Sequence, residues 1–389
     1  MRLLFLVRRV GPYHDARFDA AARLVDLTVV ETRPLSKEYP WTSSNSSRRY
    51  KLRPLGQSHE PETGLRGREL RLAMKSCMDS AEPQVVACTG WADPEYNEAL
   101  RQCHARGLPA IVMSDSTYDD EPRSWWKERI KRGVVGGYSA AVVAGTRSRD
   151  YLRRLGFPVD AVFEPWDVVD NDYFSTAVGR VPAATRPPFF VCISRYLAKK
   201  NLLRLIEAFA HYRGRAGPQA WDLVILGSGE LQESIRAAIK AANLDEHVHL
   251  PGFVQYDSLP EYYAGAGACV LPSLSDQWGL AINEAMASGV PVLVSRACGC
   301  AVDLVSDSEN GFTFDPRDVA AMADLFQRVA GMPLEQRKLM GAAGRARVGA
   351  YSLDRFAQAL VKAGRFALQC GKRQGIESRL ALSLLHLRN

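Results

Sequence analysis

Long apolar runs are missing from this sequence. No stretch approaches the roughly 20 consecutive apolar residues that span a bilayer. Met1–Val7 (MRLLFLV) is too short for a signal peptide, lacks a cleavage site and reads as a first β-strand. Clustered metal ligands are missing as well. The eight cysteines (77, 88, 103, 192, 269, 298, 300 and 370) are scattered, mostly among apolar or small residues. Such thiols in a chain of this size read as the reduced core cysteines of a cytoplasmic protein. Cys298 and Cys300 are the only close pair. Without a second cluster or a nearby histidine they make a poor zinc site, and a tight loop of small residues is the better reading. There is no internal repeat, and no low-complexity tract beyond a mild serine enrichment at 43–47.

What is present suits a two-domain enzyme-sized chain. With 389 residues, 47% hydrophobic and 24% charged, it can bury two cores. The net charge of +7 favours anionic partners, among them nucleotide diphosphates and anionic lipid surfaces. No recognised nucleic-acid module accompanies the charge, so nucleic acid is not expected as a partner. Short β-rich runs alternate with helical segments throughout. They include Leu3–Val7, Leu27–Glu31, Pro83–Cys88 and Pro109–Ser114 in the first half, and Phe189–Ser194, Asp222–Leu226 and Ala268–Leu271 in the second. That pattern predicts an α/β fold of two Rossmann-like, doubly wound domains. The composition places a first domain at 1–180, a linker at 181–188 (VPAATRPP) and a second domain at 189–350. C-terminal helices follow at 351–389. Residues 36–64 are polar and predict a long exposed loop.

The stretch around which the chain is organised is 271–293, LPSLSDQWGLAINEAMASGVPVL. Pro272 closes a strand, Ser273–Trp278 form a polar loop, and Gly279 opens a helical run over Leu280–Ser288. Gly289 stands where a left-handed residue ends a helix, and Pro291 prevents its continuation. The first backbone N–H groups of a helix lack internal partners and carry positive potential. Gly279, Leu280 and Ala281 therefore form a candidate anion cradle. Two carboxylates bracket it, Asp276 before the helix and Glu284 about one turn in. Singly, one reads as a helix cap and the other as a solvated first-turn acid.

Together these residues resemble the donor site of glycosyltransferase family 4, the retaining nucleotide-sugar transferases of GT-B fold. The family's pattern is an acid, seven residues and a Glu, with an aromatic-Gly-Leu between them and an EAMA-x-G-x-PV run after. Here it stands as Asp276, Trp278-Gly279-Leu280, Glu284-Ala285-Met286-Ala287, Gly289 and Pro291-Val292. Asp276 stands where the family usually has Glu. The resemblance implies that Glu284 holds the ribose, that the backbone of Gly279, Leu280 and Ala281 beside Trp278 holds the diphosphate and sugar, and that Asp276 orients the sugar. It covers residues 187–350 closely and 1–180 loosely.

Other residues join this reading. Arg195 and Lys200 lie at a strand-to-helix junction, where cations can meet a diphosphate and take the place of Mg²⁺. They match the family's R-x4-K-N clamp. Gly227, in Gly227-Ser228-Gly229 after a strand, suits contact with a nucleoside. The turn at Phe253 and Val254 is implied to hold the base, with Phe253 as its floor.

The first half is read more sparsely. Gly11 and His14 lie after the first strand, and Ser114 and Asp115 after another; by resemblance these loops face the cleft between the domains. Asp170-Asn171-Asp172 is formally a DxD sequence, but it sits in a domain-closing loop and is not expected to hold metal. Trp125, Trp126, Ile130, Val134 and Val135 can form one apolar stripe beside Lys127 and Lys131. That patch reads as an interfacial helix for anionic lipid, as an acceptor clamp, or as an edge helix with a solvated basic face. The apolar positions Ile376, Leu380, Leu384 and Leu387 of the tail read as packing.

The resemblance implies transfer of a sugar from a nucleotide-diphosphate sugar to the hydroxyl of a glycan or lipid-linked acceptor, without metal or other cofactor. It further implies a place in bacterial-type polysaccharide or glycoconjugate assembly, in the cytoplasm or at the inner face of the membrane. Two other readings share the fold: a sugar phosphorylase, and a non-catalytic module that binds a nucleotide or glycan.

Overall fold

The computed structural model describes residues 1–34, 48–56, 64–182, 188–373 and 375–386. They form two compact units, one of Met1–Val168 with Leu353–Asn389 and one of Val169–Ser352. Helix Asn171–Arg180 thus lies in the second unit, where Asn171 Nδ2 donates to Val348 O and Tyr351 O at 3.1 and 3.3 Å. The sequence boundary at 181–188 falls twelve residues later than this division, because Asp170-Asn171-Asp172 reads as loop. In fact Asp170 caps the helix, accepting from Tyr173 N–H at 2.9 Å. The middle of the expected linker, 183–187, lies outside the described residues, as do 35–47 and 57–63 of the expected loop.

The first unit is a seven-stranded parallel sheet. Its strands are β1 (Arg2–Val7), β2 (Asp26–Glu31), β3 (Lys51–Pro54), β4 (Val85–Thr89), β5 (Ala110–Ser114), β6 (Ala140–Val143) and β7 (Val162–Phe163), in the order β3-β2-β1-β4-β5-β6-β7. The inner strands are nearly continuous apolar runs, as expected of a sheet covered on both faces. β1 shows how the two faces divide. Leu4 and Leu6 join a core with Met74, Met78, Val86 and Leu100. Phe5, between them, points the other way, with ring centroids 4.7 Å from Phe18 and 5.8 Å from Trp166. Helix Leu353–Cys370 completes that second layer through Phe356, 5.5 Å from Trp166.

β3 corrects the expectation of an uninterrupted loop over 36–64. Leu52 and Arg53 pair in parallel with Val29 and Val30 at the edge of the sheet. Its side chains are largely exposed, so it lacks the apolar pattern that marks the inner strands.

The second unit is a six-stranded parallel sheet. Its strands are β8 (Phe189–Ile193), β9 (Asp222–Leu226), β10 (Val248–Gly252), β11 (Ala266–Leu271), β12 (Val292–Ser295) and β13 (Gly311–Phe314), in the order β10-β9-β8-β11-β12-β13. Phe190, Phe209, Tyr212, Trp221 and Phe326 form its aromatic core on one face, with Phe190 and Phe326 4.5 Å apart. The chain winds outward from β8 through β9 to β10, then returns to lay β11 on the other side of β8. That reversal opens a crevice at the C-terminal ends of β8 and β11, the place where doubly wound sheets take ligands. Ser194–Asn201 and Pro272–Gly279 are the two loops that leave those ends.

Candidate active site

The two loops at the reversal are tied to each other. Asn201 adopts φ 61° and caps helix Leu202–Ala216; its buried side chain donates to Pro272 O at 3.1 Å and Pro316 O at 2.7 Å. Leu274 N–H donates to Lys199 O at 2.8 Å. These bonds bring Lys200 against the loop after β11, where Lys200 Nζ donates to Asp276 Oδ2 at 2.5 Å. Both side chains are about one-seventh exposed (13% and 15%), so the pair is shielded without being sealed from solvent. Ser273 Oγ lies 3.4 Å from the same carboxylate oxygen.

A helix begins immediately beyond. Leu280–Ala287 starts from Gly279 at φ 106°. A Cβ at Gly279 would lie 2.5 Å from Leu271 Cδ2, so glycine is required here for space as well as for conformation. The N–H groups of Leu280 and Ala281 belong to the helix's first turn, which has no intrahelical acceptors. Their residues are only half-buried. At the other end Arg345 donates to Ala287 O and Ser288 O at 3.3 and 2.9 Å, placing a cation on the negative end of the dipole. Gly289, at φ 75°, leaves room for that guanidinium, since a Cβ there would come 2.5 Å from its Nη2.

Glu284 is not the solvated acid that its position alone suggests. It is 1% exposed and accepts a hydrogen bond from Tyr263 Oη at 2.7 Å. Tyr263 is itself buried, on helix Leu259–Gly265. The charge of Glu284 reaches further. After burial, it is the largest cause holding Tyr256 in its protonated form, well above the ordinary tyrosine pKa.

Trp278 is placed differently from the sequence expectation. Its side chain is 2% exposed, its Nε1 donates to Asn283 Oδ1 at 2.8 Å, and its ring centroid lies 5.4 Å from that of Tyr351. The indole therefore locks the start of helix Leu280–Ala287 from within. Below it runs the Cys298-Gly299-Cys300 loop, whose two thiols are buried and form no disulfide. Gly299 N–H donates to Asp276 O at 2.8 Å and Cys300 N–H to Trp278 O at 3.1 Å. A Cβ at Gly299 would fall 1.8 Å from Gln277 O, so small residues are needed for this backbone contact.

The loops after β9 and β10 close the other side. Gly227 N–H donates to Gly252 O at 2.8 Å, and Tyr196 N–H to Ser228 O at 2.8 Å. Arg195 therefore stands beside the glycine loop, and Phe253 and Val254 follow the β10 residue that joins it. All three side chains are half-buried. Gly227 has φ 140°, and a Cβ would lie 1.8 Å from Ser194 O. The close approach of two backbones explains Gly227 without any ligand. Lys200, Asp276, Glu284, Gly279, Leu280, Ala281, Arg195, Gly227, Phe253 and Val254 thus share the C-terminal edge of one sheet. Tyr263 and Asn283 had no sequence signal. Asn201 had one, its place directly after Lys200.

The candidates of the first unit occupy the corresponding edge of their own sheet. Gly11 caps helix Pro12–Ala22 at φ −105°, a conformation open to any residue. His14, in the helix's first turn, stacks on Phe18 at 5.9 Å. Burial, then the charge of Arg17, pushes its pKa down to about 3, so the ring is neutral. Arg17 is buried, donates to Val168 O at 2.9 Å and lies 4.7 Å over the Trp166 ring, with the charges of Asp167 and Asp115 supporting it. Ser114 is buried and accepts from Ser116 N–H at 3.2 Å; Asp115 O accepts from Ser148 Oγ at 2.9 Å.

The basic helix resolves into two faces. Val134 and Val135 are buried in helix Trp125–Val135 and Ile130 packs against the core, whereas Trp125 is 80% and Trp126 41% exposed. The expected single stripe is therefore two. Lys131 is held by Glu121 and Glu128 at 2.9 and 3.2 Å, and Lys127 Nζ lies 5.7 Å from the Trp126 ring centroid. No described helix is long and apolar enough to cross a membrane.

Comparison with known proteins finds similarity over the same part of the chain. Residues 177–347, which hold the whole β8–β11 edge, match the model of the family described as glycosyl transferases group 1. A GDP-mannose-dependent alpha-(1-6)-phosphatidylinositol monomannoside mannosyltransferase of Mycobacterium tuberculosis is 31% identical over 165 residues, 41% of this chain and 42% of that protein. The chain therefore spans less than half the length of that relative. An alpha-D-kanosaminyltransferase of Streptomyces kanamyceticus is 24% identical over 265 residues, 64% of this chain and 68% of that protein. Among solved structures, sucrose-phosphate synthase from Thermosynechococcus elongatus superposes with a TM-score of 0.74 at 18% identity, covering 94% of this chain and 98% of that one. Anabaena HepE in complex with UDP gives 0.71 at 16% identity, covering 93% and 99%. The chain has the GT-B fold of these proteins, and over residues 177–347 it matches the group 1 glycosyl transferases.

Proposed function

We propose that this protein is a retaining glycosyltransferase of family 4 that moves a sugar from a nucleotide-diphosphate sugar to an acceptor hydroxyl. One observation carries the reading: Lys200 and Asp276, 76 residues apart, meet at 2.5 Å beside the open first turn of helix Leu280–Ala287. A cation, a carboxylate and a helix N-terminus at a sheet's reversal form a site for a molecule that is an anion at one end and a polyol at the other.

The barrier of such a transfer falls on the departing diphosphate, which gains charge as the sugar becomes oxocarbenium-like. Arg195, Lys200 and the N–H groups at Gly279–Ala281 take that charge. Asp276 orients the sugar by accepting from its hydroxyls, and the donor's arrival divides the Lys200–Asp276 pair between phosphate and sugar. Glu284, fixed by Tyr263, accepts from the ribose. Phe253 and Val254 adjoin the base. Two cations and a helix terminus supply the positive charge that a metal would otherwise bring, so turnover is expected to continue in a chelator. The acceptor is a glycan or a lipid-linked glycan, in the assembly of a bacterial-type polysaccharide or glycoconjugate. The named activities of the mannosyl- and kanosaminyltransferase relatives support the reaction class.

Hydrolysis or transfer assays with UDP-, GDP-, ADP- and dTDP-sugars test the proposal. It requires release of one nucleoside diphosphate with the anomeric configuration kept in the product. Phosphate-dependent cleavage of a glycan in place of this would show a phosphorylase.

A further inference from the structure

The tail helix Ile376–His386 carries apolar residues on opposite sides. Ser378, Ala381 and Leu382 are buried and seat it on the first unit. They pack so closely against helix Trp125–Val135 that a Cβ at Gly133 would lie 2.7 Å from Ala381 Cβ. Ile376, Leu380 and Leu384 are 78%, 60% and 55% exposed. At i, i+4 and i+8 they form one stripe along the outer side of the helix. The sequence reading of these positions as packing is therefore corrected: the packing uses the other face. Leu387, the fourth of them, lies outside the described residues. The neighbouring helix exposes Trp125 and Trp126.

Charge surrounds these apolar groups with one sign in excess. Residues 123–135 and 372–386 contain eight Lys or Arg against two Glu. Lys372, Arg373 and Arg379 are exposed, and so are Lys127, Arg129 and Arg132. The two acids are engaged locally: Glu377 with Arg129 and Arg132 at 3.8 and 3.9 Å, Glu128 with Lys131 at 3.2 Å.

We propose that this helix pair is a docking surface for an anionic lipid bilayer, on which the outward side of the tail helix lies in the plane of the interface. Leucine, isoleucine and tryptophan amid lysine and arginine are what an interfacial helix presents to acidic headgroups. A second copy of the chain is the poorer occupant. A two-fold interface would set the patch against itself and bring like charges together. The inference stands apart from the proposed transfer, since none of these residues belongs to the second unit.

Co-sedimentation of the full chain with vesicles tests it. The probes are vesicles of phosphatidylcholine alone and vesicles with roughly one-third phosphatidylglycerol, at about 0.1 M and 0.5 M NaCl. Binding is expected to the anionic vesicles, not to the neutral ones, and is expected to weaken at the higher salt. The triple variant Ile376→Ser, Leu380→Ser, Leu384→Ser should bind about tenfold less with an unchanged melting temperature and unchanged nucleotide binding. Trp125→Ala with Trp126→Ala provides an independent pair, since it leaves the tail helix intact. Failure of the wild type to sediment with anionic vesicles overturns the proposal. So does triple-variant binding equal to wild type, or a wild-type dimer in solution that the triple variant makes monomeric.

Discussion

Lys200 Nζ and Asp276 Oδ2 are 2.5 Å apart at the ends of two strands that are neighbours in the sheet but distant in sequence. The contact makes the two substitutions separable. Lys200→Ala removes a cation from the diphosphate and leaves Asp276 without its partner. Nucleoside diphosphate affinity should fall about tenfold and turnover by about 10²–10³. Asp276→Asn keeps the shape and should leave nucleoside diphosphate affinity within about threefold while turnover falls by a similar 10²–10³. Titration calorimetry and steady-state rates on both variants distinguish these outcomes. Equal loss of affinity in both would show that Asp276 contacts the nucleotide and not the sugar.

Tyr263 acts through Glu284. Removing its hydroxyl takes away a hydrogen bond to a buried carboxylate, and Tyr263→Phe should cost about 1–3 kcal/mol of stability. A purely structural role ends there. As a positioning residue, Tyr263 should also narrow the preference for a ribonucleoside diphosphate over its 2′-deoxy form when substituted. A melting curve with paired titrations of the two nucleotides reads both effects.

Backbone approach alone requires a glycine at position 227. At φ 140° and with Ser194 O only 1.8 Å from an added Cβ, Gly227→Ala should destabilise the second unit by more than about 2 kcal/mol. Gly214→Ala has nothing within 4 Å and no unusual φ, inside helix Leu202–Ala216, and should be neutral or slightly stabilising. Chemical denaturation of the two variants checks the contrast.

His14 gives the first unit a pH dependence of definite sign. Its folded-state pKa is depressed to about 3, below the ordinary 6.5. The unfolded chain therefore takes up a proton as pH falls below about 6.5, while the folded chain does not. The stability that a neutral His14 contributes is present above the ordinary pKa and is lost as pH falls from there toward 3. His14→Phe, which keeps a ring against Phe18, should reduce the loss of melting temperature between neutral and mildly acid pH. Parallel slopes for wild type and variant would refute this.

The sequence was informative wherever burial leaves a pattern. β9 runs over Asp222–Leu226 as expected, and the inner strands follow their apolar runs within one to three residues. Helix Leu280–Ala287 and the left-handed Gly289 follow from the glycine and proline positions. Elements without a pattern were missed: β3 because an edge strand of Lys, Leu, Arg and Pro looks like loop, and β7 because it has two residues. Periodicity also leaves direction open. Ile376, Leu380 and Leu384 form the stripe that their spacing predicts, yet they face outward. In the site, Asp276 and Glu284 were legible from one sequence motif and Lys200 from a second, the R-x4-K-N run that begins at Arg195. The burial of Trp278 and the Tyr263 hydrogen bond were not, because both depend on contacts between segments that no local pattern encodes.

The most direct test of the donor site is calorimetric titration of UDP, GDP, ADP and dTDP into the wild-type chain and into Glu284→Ala. The account predicts saturable binding of one of them to the wild type and its loss, or a fall of at least about tenfold, in the variant. A folded wild type that binds none of the four would contradict it.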